Sequence, residues 1–167
     1  MGNYILEVQR TGNDPAEVLA IIKNNGGEPI PVPPRRRLRG IAISGVFATL
    51  TAARQAGAEL ASQTIETLIL PERISAAKVE AGGPFYVTAY GQTGDEIVAV
   101  FAANRGEVVL IHTGKTVSGI FASRPDAAAT ADQLKRQGIE VMVSSRQEAR
   151  LAKEAKKQRA TEGPSPN

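Results

Sequence analysis

The chain has 167 residues, 42% of them apolar and 4% aromatic, with a net charge of +3 and no cysteine. That length suits one ordinary domain or two small ones, with a core built from Ala, Val, Ile and Leu. The missing cysteines exclude disulfides, thiolate metal sites and cysteine nucleophiles, and no apolar run approaches the ~20 residues that span a bilayer. The opening MGNYILEVQR lacks the charged region that precedes the apolar segment of a secretory signal. A cytoplasmic protein with no membrane partner is expected.

YILEVQ, residues 4–9, reads as a strand. Asp14 as N-cap, Pro15 and Glu17 then open a helix. Its buried stripe is Val18, Leu19, Ile21 and Ile22, and NNGG at 24–27 ends it through a left-handed glycine. EPIPV is a short extended piece that its prolines confine to a sheet edge or a loop. PVPPRRRLRG, residues 31–40, follows, and its prolines predict a stiff projecting loop. RGIAIS reads as a strand, and Phe47, Leu50, Ala53 and Leu60 mark one face of a helix over about 46–62. IETLIL is a further strand closed by Pro71. The order β-α-β-β-α-β over 1–74 is the ferredoxin-like α+β pattern, two helices on one face of an antiparallel sheet.

Residues 75–84, SAAKVEAGGP, read as a linker. Residues 85–144 read as a second, β-rich α+β domain. Its strand-like runs are FYVTAYG, EIVAVFAAN, EVVLIHTG and TVSGIFAS, with TGDE and NRGE as hairpin turns. A helix with Pro125 at its start, Ala128, Ala131 and Leu134 inward and Gly138 as its stop leads to a last strand, IEVMVSS. Whether this half is a diverged repeat of the first stays open. Over 145–167, Ser145 and Glu148 form a capping box that opens a charged helix, and TEGPSPN reads as a disordered tail. From Arg146 to Arg159 the six cations outweigh Glu148 and Glu154 by +4, which leaves the body near neutral at −1.

No catalytic set is legible. His112, the single histidine, ends an apolar strand, and no G-x-S-x-G nucleophile elbow occurs. One histidine and no cysteine leave no common zinc site. TGKT at 113–116 has Val109 where a phosphate-binding loop needs its first glycine. Asp95 and Glu96 are adjacent in a turn and point apart. Neither an enzyme, a metal nor a cofactor is expected.

The dense positive charge lies in Arg35, Arg36, Arg37 and Arg39, which with Pro33 and Pro34 form a candidate anion or pore loop. Four neighbouring guanidinium groups repel one another unless anions share them, and arginine suits bidentate anion binding. Single-stranded nucleic acid would want stacking aromatics, and Phe47 alone lies within ten residues.

Residues 40–75, GIAISGVFATLTAARQAGAELASQTIETLILPERIS, resemble part of the bacterial microcompartment shell-protein family. That family shows a strand, a short turn, an alanine-rich helix with an AGAE stretch and a last strand ending in proline. The matching residues are Ala52, Ala53, Ala56, Gly57, Ala58, Glu59 and Ala61, then Ile65 to Leu70 and Pro71. YILEVQRTG and DPAEVLAIIKNNG stand where the family's first strand and first helix lie. The likeness covers about 70 residues and does not extend to the second half. It implies cyclic homo-oligomers, trimers or hexamers, with shell or cargo proteins as partners. It also implies that PPRRRLRG lines a central pore. The expectation is therefore a non-enzymatic, self-assembling structural protein with a basic loop at a pore or anion site. The alternative is a nucleic-acid-binding or regulatory protein. It would use the arginine loop together with Arg146, Arg150, Lys153, Lys156, Lys157 and Arg159.

Overall fold

The computed structural model describes residues 3–10, 12–73, 84–91, 94–145 and 153–159. The first half runs β1 (Tyr4–Gln9), α1 (Pro15–Asn24), β2 (Glu28–Ile30), α2 (Pro34–Leu38), β3 (Ile41–Phe47), α3 (Leu50–Ser62) and β4 (Thr67–Pro71). The second runs β5 (Phe85–Tyr90), α4 (Gly94–Ala103), β6 (Glu107–His112), β7 (Thr116–Phe121), α5 (Arg124–Arg136) and β8 (Glu140–Ser145). Caps set most helix starts. Asp14 accepts from the Ala16 amide at 3.0 Å, Thr49 from Ala52 at 3.1 Å and Ser123 from Asp126 at 3.3 Å.

All eight strands join in one sheet of order β2-β3-β1-β4-β6-β7-β5-β8, with every neighbouring pair antiparallel. Strand alternation puts Leu6, Val8, Phe47 and Ile69 of the first half on the same face as Val87, Ile111, Val117 and Phe121 of the second. All eight are buried, and they form one core with the inward sides of α1, α3, α4 and α5. The opposite face carries Glu7, Thr88 and Ser118, the last two hydrogen-bonded at 3.1 Å.

The two halves repeat one another. The suborders β2-β3-β1-β4 and β6-β7-β5-β8 are the same ferredoxin-like arrangement. Equivalent residues do equivalent work. ISGVFA in β3 matches VSGIFA in β7. A Cβ at Gly45 would stand 2.7 Å from Ile22 of α1, and one at Gly119 2.6 Å from Phe101 of α4. A Cβ at Gly27 would meet the Phe47 ring at 2.5 Å, and one at Gly106 the Phe121 ring at 2.3 Å. Asn25 and Asn104 each donate from Nδ2 to the carbonyl four residues back, at 2.8 and 2.9 Å, and reach Glu59 and Gln133 on the neighbouring helix. The first helix of each repeat therefore sits down on its sheet over a glycine that clears room for one aliphatic or aromatic side chain.

Several expectations are corrected. EIVAVFAAN is helix α4, not a strand. Its buried residues Ile97, Val100 and Phe101 fall at i, i+3 and i+4, a helical period that the β-branched content conceals. Hence TGDE and NRGE are not hairpin turns: Asp95 and Glu96 sit in the first turn of α4, and Asn104 and Arg105 follow it, Arg105 with φ +63°. Among the described residues, 85–145 hold four strands and two helices. The strand before α3 extends to Phe47, so that helix begins at Leu50 and not near 46. In α5 the inward residues are Ala127, Thr130, Ala131 and Leu134, while Ala128 is exposed; Leu19 is only half-buried. The 75–84 linker up to residue 83 lies outside the described residues, as does Glu148 of the capping box.

Gly119→Ala is expected to push Phe101 out of its edge-on contact with Phe121, whose ring centroid lies 5.7 Å away. The expected loss is about 1–3 kcal/mol in urea unfolding. An unchanged midpoint would show that the close approach carries no weight.

Candidate functional site

The arginine segment folds rather than projecting. Pro33 is extended and Pro34 stands at the start of α2, so the prolines pre-set the first turn of a short helix. The Arg36 and Arg37 amides bond the Pro33 carbonyl at 2.9 and 3.1 Å, and Gly40 with φ +86° turns the chain into β3. The rigid-loop expectation fails because proline at the first helical position favours a turn.

This turn aims Arg36 at Glu7, on the face of β1 away from the main helices. Glu7 is 5% exposed. Arg36 donates from Nε to both carboxylate oxygens, at 2.8 and 3.0 Å, and from a terminal nitrogen to Oε2. The hydrogen bond to Glu7 raises the Arg36 pKa further, against the opposing effect of burial. The four arginines are thus not equivalent. Arg36 is taken up in an internal pair, while Arg35, Arg37 and Arg39 are exposed, as are Pro33 and Pro34. Beside them Leu38 is 90% exposed. Arg37 borders a shallow groove with Leu19, Ile30 and Ala42.

Of the basic C-terminal residues, Lys153, Lys156, Lys157 and Arg159 lie on an exposed helical segment over 153–159. Arg146 and Arg150 lie outside the described residues.

A second site, which sequence reasoning missed, lies where the repeats meet. β4 pairs with β6 through Leu68 opposite His112 and Ile69 opposite Ile111. Thr67 Oγ1 donates to Thr113 Oγ1 at 2.8 Å, and the Thr113 amide reaches the Thr67 carbonyl at 3.1 Å. Above this seam is a cleft of about 280 Å³. Thr51, Arg54, Gln55 and Ala58 of α3 form one wall, at the i, i+3, i+4, i+7 spacing of a single helix face. Asp95 of α4 and the β6–β7 turn form the other, and Arg54 bridges to Asp95 across it. The spacing was the available signal, but only the pairing of β4 with β6 shows what that helix face looks at.

Beside the seam, Lys115 pairs with Glu66, and His112 Nε2 lies 4.0 Å from Glu66 Oε2. That Nε2 is shielded from solvent and has no hydrogen-bond partner among the described residues. Among the described residues no group of three His, Asp or Glu is placed to hold a metal, and no helix is long and apolar enough to cross a membrane. The hydrogen bond and charge of Lys115 hold the Glu66 carboxyl below its ordinary pKa, with a small opposing effect of burial.

The fold defines an α+β protein made of two ferredoxin-like repeats fused edge to edge. No protein-family model matches the sequence, and no curated protein matches it. Solved structures with low similarity to it include the following. RNA recognition domains 1 and 2 of Sex-lethal from Drosophila melanogaster share 15% identity, covering 85% of this chain and 99% of that one, with a TM-score of 0.32. A candidate transcriptional repressor of the glycine cleavage system shares 7%, covering 86% and 96%, at 0.32. The acetolactate synthase small subunit of Thermotoga maritima shares 12%, covering 87% and 98%, at 0.29. At these scores the likenesses assign nothing to this chain.

Two outcomes test the charge assignments. Arg36→Ala is expected to cost about 3 kcal/mol in urea unfolding because it strands a buried carboxylate. Arg35→Ala and Arg37→Ala should stay within about 0.5 kcal/mol. Equal effects at all three would remove the special role of Arg36. The folded-state pKa of Glu66 lies below its unfolded value, so its contribution is present above the unfolded pKa and is lost as pH falls through the folded one. Glu66→Gln should therefore flatten the stability profile on the acid side of 4.5, the ordinary glutamate value. Denaturation curves across that range check it.

Proposed function

We propose that the protein is a non-enzymatic, self-associating α+β protein whose copies join through β8. The observation that carries this is the contrast between two equivalent edges. In the first repeat the outer strand β4 is covered by β6. Its equivalent β8 has no further strand beside it among the described residues, with Met142 52% and Val143 38% exposed and no charge between Glu140 and Ser145. The helix face above β8 is small, Pro125, Ala128 and Ala129 standing where α3 has Thr51, Arg54 and Gln55. An unguarded edge of this kind is a template for another strand.

The other free edge is guarded. In β2, Pro29 removes a ladder donor and Glu28 is charged. Copies would therefore pair β8 with β8 rather than β8 with β2. A two-fold axis through Met142 keeps the helices of both copies on one side of the sheet. It sets Met142 against its own counterpart, Val141 against Val143 and Glu140 against Ser144, with no like charges opposed. The microcompartment-shell likeness of residues 40–75 supports an assembling protein, in which Arg35, Arg37 and Arg39 would supply the basic surface without Arg36. The same exposed arginines support a second reading, polyanion binding that falls steeply with salt.

Sedimentation velocity over a concentration series is expected to show a reversible dimer. Met142→Lys should shift it to monomer with an unchanged urea midpoint, because the residue is exposed in the single chain. A strict monomer at high concentration, or assembly unaffected by Met142→Lys and Val143→Lys, would rule out the edge pairing.

A further inference from the structure

We infer that the cleft between the two repeats binds a small organic acid, holding its carboxylate on Arg54. This does not rest on association through β8, because the cleft lies at the seam inside one chain.

The α3 face over the cleft carries Thr51, Arg54 and Gln55 where its counterpart on α5 carries Pro125, Ala128 and Ala129. Thr51, Arg54, Gln55 and Ala58 correspond to Pro125, Ala128, Ala129 and Asp132 when the caps Thr49 and Ser123 are superposed. Packing of α3 on its own sheet does not need these residues, since that is done by Ala53, Ala56, Gly57 and Leu60. The polar face has a different neighbour, the cleft.

Arg54 lines the cleft together with His112, and its side chain is 22% exposed. Its counter-ion Asp95 is 92% exposed and comes from the opposite wall. The pair is lopsided: the guanidinium is largely shielded from water, whereas the aspartate reaches it from solvent. A ligand carboxylate can take the place of Asp95 and form the paired N–H···O contacts that suit arginine, while Asp95 returns to solvent at little cost. The floor is apolar, with Ile69, Ile111 and Val117, and the hydroxyls of Thr51 and Thr116 stand around it. That combination of an apolar floor with few convergent polar groups characterises small-molecule sites.

Size and charge narrow the ligand. A volume of about 280 Å³ lies at the small end for such sites and suits a compact ligand. The negative charge of Asp95 nearby disfavours polyanions. What remains is a compact acid with one carboxylate and a short body. A hydroxyl on it would turn to the threonines, and an ammonium would turn to Asp95.

Titration of the full chain with lactate and with alanine, followed by calorimetry and amide NMR shifts, tests this. Saturable binding of either is expected, with shifts confined to Thr51–Ala58 and the β6–β7 turn. Arg54→Gln should weaken it at least about tenfold, the loss of one charge-assisted contact, with the NMR spectrum otherwise retained. Asp95→Asn then separates the two acids. Lactate should bind several-fold tighter once its competitor is gone, and alanine weaker if its ammonium uses Asp95. No saturable binding of either acid, or equal binding by Arg54→Gln, overturns the assignment. Neither result bears on the sedimentation mass, so failure here is distinct from failure of the β8 interface.

Discussion

Two opposed residue pairs, Leu68 with His112 and Ile69 with Ile111, weld the halves of this protein into one sheet. A ferredoxin-like unit on its own has two open edges, each offering unpaired amides and carbonyls. Joining β4 to β6 closes one edge of each unit. It also fixes the direction of the join as outer strand against the following repeat's first hairpin. Gly57 makes the seam tight: a Cβ there would stand 2.9 Å from Thr113 Oγ1 and 3.3 Å from Thr67 Oγ1, the two hydroxyls bonded across the join. The close seat of α3 over the seam, the cleft beside it and the bare β8 edge all descend from this one pairing.

Charge is arranged by the same logic of burial. Glu7 sits in the middle strand of the first repeat, nearly sealed from water, and a carboxylate there needs a partner. α2 supplies it by bringing Arg36 over the open face of the sheet. The short helix is therefore held by a charge pair rather than by a greasy face, as its lack of buried residues requires. The remaining arginines are left on its outer side, so a sequence cluster of four becomes one structural ion and three surface ions.

Association and ligand binding would use different joins of one repeating design. At the inner join, polar residues of α3 face the next repeat across a cleft with an apolar floor. At the outer edge, small residues of α5 and an apolar strand leave a surface suited to close approach. The repeats differ on these faces, and α2 has no counterpart in the second repeat. Inside, the Ser-Gly-x-Phe strands, the glycines under the phenylalanine rings and the capping asparagines are nearly unchanged.

The first repeat was readable from residue order, because its caps, prolines and strand runs are local signals: Asp14 and Pro15 open α1, and Pro71 closes β4. The second was readable in part. Its strands and α5 follow from alternation and from Pro125, but IVAVF has the composition of a strand and the period of a helix. Only contact with Gly119 and its neighbours decides between them. The fate of each arginine was not local either, because nothing near Arg36 announces a buried carboxylate 29 residues earlier. Caps, turns and periodicity act within a few residues, and these the chain states by itself. Which edge meets which, which charge is neutralised and where a cleft opens depend on strand order, and that exists only once the sheet has formed.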